Sequence, residues 1–450
     1  MQPRKSETPG AIRFTETHTK PTVKGEVSED CYPSYPDQRV GLSFNETVPV
    51  ESAGEPVISK SIEVELEQVR EAVLTHFPHL WGAVEAGLSI CATLLLADNA
   101  NPVALIYVGP PSAGKTTVVN MFVGAEYNGE SICYRSDKFT PASFVSQSGK
   151  ATKEELEKVD LLPRIRYKVL LTPELATIFR GKQEELAERF STITRVLDGQ
   201  GLKTDSGTHG ERGYEGDYLF AWLGATTPLN PIVWKVMAQL GSRLFFLTMD
   251  AEADPTVEEL VKATQKRVPY AEGCKRCQEA VCSFLGALFT RYGGVRRVQW
   301  NGEENSKEVL SCIAKCAKLL AVMRTPYDKA GKPQSESAHR ANSVLYSLAR
   351  GHALIHGRTR LSREDVPAIR DIALSSMPAK RRAVLAAFMT SKGMPITIKE
   401  VGDAAGLTRT SVEPLMEEME WLGLARYERE GNGKPSHLVL NRDWEWCASL

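Results

Sequence analysis

One octapeptide restricts this chain more than any other segment: Gly109-Pro-Pro-Ser-Ala-Gly114-Lys115-Thr116. It follows a continuous apolar run of strand length, Val103-Ala-Leu-Ile-Tyr-Val108, and the residues after it read as a helix that begins near Lys115. An apolar run without polar alternation is the pattern of a strand buried on both faces, and such strands belong to parallel sheets covered by helices. Glycines in the loop let successive backbone N–H groups curl around phosphate oxygens, at a helix start where the backbone dipole favours an anion. Gly109, Pro110, Pro111, Ser112, Ala113, Gly114, Lys115, Thr116 and Thr117 are therefore the candidate nucleotide cradle. Lys115 would reach the β- and γ-phosphates, and Thr116 would offer its hydroxyl to Mg²⁺, so ATP with Mg²⁺ is the expected ligand pair.

The rest of the chain extends the same pattern. Further strands are expected at Ser131 to Tyr134, Tyr167 to Leu171, Tyr218 to Leu223 and Leu244 to Thr248, separated by helical stretches such as Glu184 to Leu197 and Ile232 to Leu240. Strands alternating with helices argue an α/β fold with a parallel sheet. Residues 1–60 are rich in Pro, Ser, Thr and Glu without apolar periodicity and read as a disordered arm. The α/β unit is expected over 61–255 and a helical unit over 256–377. In 378–450, three short helices (Ala379 to Thr390, Ile398 to Ala405, Thr410 to Leu422) precede a hairpin turned at Gly431-Asn-Gly433, the order of a winged helix-turn-helix.

Composition narrows the partners. Fifty-five basic residues face 56 acidic ones, so the chain has no overall footprint for nucleic acid or an acidic membrane, and any DNA contact has to be local. No run approaches the roughly 18 apolar residues of a membrane span. The polar N-terminus lacks the apolar core of a signal peptide, which makes the cytoplasm the expected compartment. The nine cysteines fit reduced thiols better than a disulfide framework.

A phosphate loop of this kind works with acidic residues at the end of a second strand. That strand is expected at Lys168-Val-Leu-Leu-Thr-Pro-Glu174, where Glu174 takes the place of a catalytic carboxylate. Thr172 and Pro173 stand where an aspartate is usual, a departure that weakens metal positioning and could slow hydrolysis; Asp137 is an alternative acid.

From Val103 onward these motifs resemble those of the AAA+ ATPases, and within them the minichromosome-maintenance (MCM) type of helicase ATPase, over roughly residues 62 to 374 with a winged helix after them. The resemblance implies an AAA+ sheet with a helical lid and a ring, six subunits being the expected number. Leu223-Gly-Ala-Thr-Thr227 resembles the sensor-1 strand end, which implies Thr226 or Thr227 near the γ-phosphate. Leu240-Gly-Ser-Arg243-Leu-Phe resembles the family's Ser-Arg-Phe segment, which implies that Arg243 is a finger into the neighbour's nucleotide. A delocalised, permanent charge is what stabilises a transferring phosphoryl group. Arg340, ahead of an expected helix Ala341 to His356, resembles sensor 2 and is assigned the γ-phosphate. Gly201 to Gly216 lies where related helicases carry a pore hairpin, with Lys203, His209 and Arg212 as candidate contacts to a nucleic-acid backbone; a plain surface loop explains the same residues.

In the C-terminal unit the candidate recognition helix carries Glu413, Glu417, Glu418 and Glu420 against Arg409. Arg409, Arg426, Arg429 and Lys434 leave DNA contact through helix tip and wing open, with protein docking as the alternative for the same fold. Cys274-Lys-Arg-Cys277, with Cys282, Cys312 and Cys316, could be read as a zinc site, but the 34 residues between Cys277 and Cys312 exceed common ribbon spacing, which favours free thiols. The eight histidines show no metal-binding pair such as His-Glu-x-x-His, and His76 and His79, which flank a proline turn, read as structural. The expectation is an oligomeric ATPase that translocates, unwinds or loads on DNA. The alternatives are a nucleotide-controlled regulator that docks DNA or protein, and a MoxR-like chaperone ATPase; a bacterial enhancer-binding activator is disfavoured because its Gly-Ala-Phe-Thr-Gly-Ala loop is missing.

Overall fold

In the computed structural model the described residues are 55–146, 151–206, 210–241, 243–250, 256–265, 269–429 and 436–449. The expected arm up to residue 54, His209, Ser242 of the Ser-Arg-Phe segment, the turn at 431–433 and Lys434 lie outside them. The first described helix, Glu55–His76, starts inside the segment read as an arm. It is followed by a short turn and the helix Trp81–Ala92, which lead to the central sheet.

That sheet has five parallel strands: β1 (Val103–Val108), β2 (Cys133–Arg135), β3 (Val169–Thr172), β4 (Ala221–Thr226) and β5 (Leu244–Thr248). Their spatial order is β2-β3-β4-β1-β5, so β1 lies between β4 and β5, and the chain leaves β1 for the opposite edge before working back. The period of two along each strand sorts side chains into two cores. Leu105, Tyr107, Leu171 and Leu223 face the side covered by the N-terminal helices and by Tyr270–Arg291, Lys307–Arg324 and Ala338–Ile355. Ala104, Ile106, Leu170, Trp222 and Phe246 face the side covered by Gln183–Val196 and Pro231–Leu240. Burial on both faces is why these strands read as unbroken apolar runs.

The expected strands are present with ends displaced by up to three residues, most at β4, which begins at Ala221 rather than Tyr218. Tyr218 and Leu219 are still bonded outside the ladder: the Tyr218 N–H donates to the Gly199 carbonyl ahead of the 201–215 segment, and the Leu219 carbonyl accepts the Tyr167 N–H just before β3. The segment from Gly201 folds as an antiparallel hairpin, Gly201–Ser206 with Gly210–Glu215. Beyond residue 378 three helices, Ala379–Thr390, Ile398–Ala405 and Arg409–Trp421, carry a three-stranded antiparallel sheet. Ile396–Thr397 pairs with His437–Leu440, which pairs with Ala425–Glu428; the first of these strands is two residues long and left no trace in the sequence pattern.

Buried arginines bind the helical layers to the sheet. Arg324 donates Nε–H to the Ser376 carbonyl at 2.8 Å and an Nη2–H to the Leu244 carbonyl at 2.9 Å. Burial lowers its guanidinium from the usual range to about 10, with Glu336 opposing. Arg381 donates to the Met323 and Thr325 carbonyls and to Glu418, tying Ala379–Thr390 both to the preceding helices and to Arg409–Trp421. Among the described residues no helix is long and apolar enough to cross a membrane.

Candidate functional site

In an open parallel sheet, ligands bind beyond the carboxyl ends of the strands, where the strand order reverses. Here that place is the end of β1, flanked by strands reached in opposite directions. The loop from Gly109 begins there. The Gly109 N–H donates to the Thr226 carbonyl at 3.4 Å, and a Cβ at Gly109 would collide with the Met249 carbonyl oxygen. Gly114 has φ +76° and caps the helix Lys115–Met121; a side chain there would meet Leu80 Cδ2 at 2.6 Å. Both glycines are thus required by close approach, one also by a left-handed backbone. Ser112, at φ +67°, turns the loop between them.

Lys115 folds over this loop and donates from Nζ to the Pro110 carbonyl at 2.5 Å. Burial lowers its ammonium below the usual lysine range, while the Glu174 charge pulls the other way. Thr116 donates its hydroxyl to the Pro173 carbonyl at 3.4 Å. The loop and the end of β3 are therefore brought together, as the sequence pattern requires. Thr117 Oγ1 lies 2.6 Å from the Tyr270 hydroxyl, whose ring packs edge-on against Phe77; this couples the loop helix to Tyr270–Arg291, a contact with no signal in the sequence.

The departure at β3 has a structural use. Thr172 is fully buried, and its Oγ1 accepts the Trp222 indole N–H at 2.8 Å. The position where an acid is usual thus serves the core, and the carboxylate at this strand end is Glu174. Glu174 is exposed, and its Oε1 accepts the Ala176 N–H at 2.6 Å. Asp137 follows the edge strand β2, separated from β1 by two strands, and is held by Arg135 at 2.7 Å. Thr227 follows β4 on the loop side of the sheet, half-buried; the hydroxyl of Thr226 before it is buried with no hydrogen-bond partner.

Arg243 and Arg340 sit elsewhere. Arg243 precedes β5, and the pairing of Leu244 with Ala104 places it level with the start of β1. At about 3.3 Å per residue that is roughly 17 Å of strand from the loop. Arg340 lies inside the first turn of Ala338–Ile355 rather than ahead of the helix. Both converge on Asp198: Arg243 Nε at 2.9 Å and an Arg340 Nη at 2.8 Å reach Oδ1, and Arg195 stands 3.7 Å from Oδ2. Arg243 also donates to the Leu240 and Gly241 carbonyls. Arg340 is thus placed with Arg243, not with Lys115 of its own chain. Nothing in the sequence marks Asp198, one acid in a turn after a helix.

Among known protein families and curated proteins, no family model and no curated sequence matches this chain.

The candidate nucleic-acid contacts are largely neutralised. Lys203 is held by Glu211 at 2.9 Å and Glu215 at 2.6 Å, across the hairpin, and these bonds raise its ammonium above the usual range. Arg212 donates to the Glu211 carbonyl. Arg409, Arg426 and Arg429 are exposed but stand 3.8, 3.6 and 2.5 Å from Glu413, Glu428 and Glu417. The cysteines of the zinc reading lie on helices: Cys277 faces the Ala72 carbonyl, Cys282 the Val123 carbonyl, and Cys316 is buried. Cys312 is held at about 7, below the ordinary thiol range, by a hydrogen bond from Cys316.

Proposed function

We propose that this chain is a P-loop ATPase of the AAA+ kind, resembling the MCM-type helicases, which works as a ring on DNA. The observation that carries the reading is the division of phosphate chemistry between opposite ends of one sheet. Lys115, Thr116 and Glu174 cluster at the carboxyl end, and Arg243 and Arg340 share Asp198 at the amino end. Guanidiniums that cannot reach their own loop are useful to the loop of a second subunit docked amino end to carboxyl end. Asp198 then holds them in place between turnovers, and the more highly charged phosphates compete for them.

The residues fit the ligands this requires. Gly109 and Gly114 clear space for a close backbone, Lys115 lies over the loop with Nζ on the Pro110 carbonyl, and Thr116 is an exposed residue at the helix start. Mg²⁺, when bound, supplies Lewis-acid polarisation of the phosphate oxygens. Glu174 orients and deprotonates the attacking water, and Thr227 hydrogen-bonds the terminal phosphate. With Thr172 committed to Trp222, one carboxylate serves where two are usual, so turnover is slow relative to binding.

DNA engagement is assigned to the hairpin Gly201–Glu215 and to the C-terminal unit, read as a winged helix. A second reading, an ATP-controlled regulator that docks a protein, is favoured by the state of the helix Arg409–Trp421. Its Glu417 is bonded to Lys329 and Arg429, its Trp421 donates to the Gly331 carbonyl at 2.8 Å, and Tyr327 packs edge-on against that indole. That helix face is already occupied by the chain's own 327–331 segment. ATPase rates with and without single- and double-stranded DNA separate the two. Stimulation that disappears in Lys115→Ala supports the helicase reading; tight ATP binding with turnover indifferent to DNA rejects it for the regulator.

A further inference from the structure

A cleft of about 750 Å³ opens beyond the end of β5, where Thr248, Met249 and Asp250 line it. Glu85, His352 and His356 converge in it from two helices. Glu85 comes from Trp81–Ala92, while His352 and His356 are one turn apart at the end of Ala338–Ile355. A spacing of four residues puts two imidazoles on one helix face. Their donor atoms and one Glu85 oxygen all lie within 4.8 Å of one another. His356 Nε2 is 3.4 Å and His352 Nε2 is 3.9 Å from Glu85 Oε1.

We infer that Glu85, His352 and His356 form a binding site for a divalent transition metal of the zinc class. Two imidazoles and a carboxylate, with a fourth position open to a cleft, are the donor set and number of three-ligand zinc sites. In a tetrahedral site with bonds near 2.05 Å, neighbouring donors lie about 3.3 Å apart, so the 3.4 Å pair is already at that distance and the others close with small side-chain rotations. His356 Nε2 is buried and makes no hydrogen bond, an orphan aimed at the cluster.

The outer shell is also in place. His352 Nδ1 lies 2.7 Å from Asp365 Oδ1, and Asp365 is fully buried and held by Arg358 and the Ser362 N–H. A carboxylate on one ring nitrogen fixes the tautomer and directs the lone pair of the other nitrogen outward. That lone pair then faces Glu85 Oε1 at 3.9 Å, a lone pair against a carboxylate oxygen that a metal ion between them would satisfy. A proton on His356 is the competing cation, giving an ion pair with Glu85 and no metal. The sequence contained the His352-Ala-Leu-Ile-His356 pair, but Glu85, 267 positions away, is supplied only by the fold.

Filled, the site would staple Trp81–Ala92 to Ala338–Ile355. The first helix follows directly on Leu80, which backs Gly114 of the loop, and the second carries Arg340 at its other end. The inference stands apart from the ATPase reading, since no residue of 109–117 lines the cleft.

The test uses the full chain, stripped with EDTA and titrated with Zn²⁺ by calorimetry, with Co²⁺ as the spectroscopic probe. One equivalent of Zn²⁺ should bind, and Co²⁺ should give visible bands of a nitrogen- and oxygen-ligated tetrahedral ion without a thiolate charge-transfer band. His352→Ala and His356→Ala should each weaken Zn²⁺ by about 100-fold, and Asp365→Asn by about 10-fold. Circular dichroism checks that each variant is folded, and Glu85→Gln, which keeps shape and loses charge, covers the case where a histidine variant is not. Failure of the stripped wild type to bind, a thiolate band, or affinity unchanged in Glu85→Gln and a folded histidine variant would overturn the assignment and leave the His356–Glu85 ion pair.

Discussion

The two ends of the central sheet carry opposite kinds of incompleteness. At the carboxyl end the loop of 109–117 folds its lysine back on its own Pro110 carbonyl, and Glu174, just beyond β3, is exposed. At the amino end the guanidiniums of Arg195, Arg243 and Arg340 surround the single carboxylate of Asp198, a net excess of positive charge. On the proposed reading neither end alone would complete a site for phosphoryl transfer, and each holds groups that the other lacks. The helix Ala338–Ile355, about 27 Å long at 1.5 Å per residue, joins them, with Arg340 at one end and His352 near the other. On the ATPase reading proposed above, these two sets of groups, held at opposite ends of one sheet, would meet across a boundary between subunits.

The sharpest way to break this comparison is Arg243→Ala. Removing a finger should lower kcat by about 1,000-fold, with ATP affinity within a few-fold of wild type. Mixed with Lys115→Ala, it should recover part of the activity, because an interface pairing an intact loop with an intact Arg243 forms again. A loss of ATP affinity equal to the loss of rate, measured by fluorescent-nucleotide titration, would place Arg243 in its own subunit's structure instead. At the other end, Glu174→Gln should lower kcat by about 100-fold and leave affinity intact, the lower end of what a general base contributes. If the rate is unchanged, the departure at Thr172 and Pro173 extends to the whole strand end.

How much of this was legible beforehand differs between the same two ends. The loop is a local code: strand, glycines, lysine and helix are contiguous, and the sheet follows from apolar runs that burial on both faces demands. Lys115, Thr116 and Glu174 could therefore be placed from the sequence. The amino end is not local. Asp198, Arg243 and Arg340 are brought together by the order β2-β3-β4-β1-β5 and by the seating of a helix against the sheet, which no spacing encodes. The sequence alone points Arg340 to a γ-phosphate without saying whose, and nothing in it marks Asp198. The Thr172 hydroxyl likewise made sense only once Trp222 was across from it. The same limit hid Glu85 from the two histidines.

Asp198→Ala tests the amino end as a unit. With its side chain mostly covered, its loss leaves Arg243 and Arg340 facing each other without a counter-charge, and should cost about 2 kcal/mol in urea unfolding. Nucleotide affinity should stay within about twofold, since the loop is at the other end of the strands. A matching loss of affinity would show the ends coupled through the sheet rather than separate.

The smallest effect is a pH dependence that belongs to one end alone. Burial brings the Lys115 ammonium below that of an exposed lysine. As pH rises through that lowered value the loop loses its charge, and ATP affinity should fall by about tenfold per pH unit, one proton being linked to binding. Stability moves the other way: the unfolded chain holds the lysine proton to higher pH than the folded one, so between the folded and unfolded values the nucleotide-free protein becomes slightly more stable as pH rises. Opposite slopes for ATP affinity and stability over the same alkaline window, both abolished in Lys115→Arg, would assign the titration to the carboxyl end. A slope that persists in Lys115→Arg would assign it to another group and remove the electrostatic asymmetry between the two ends.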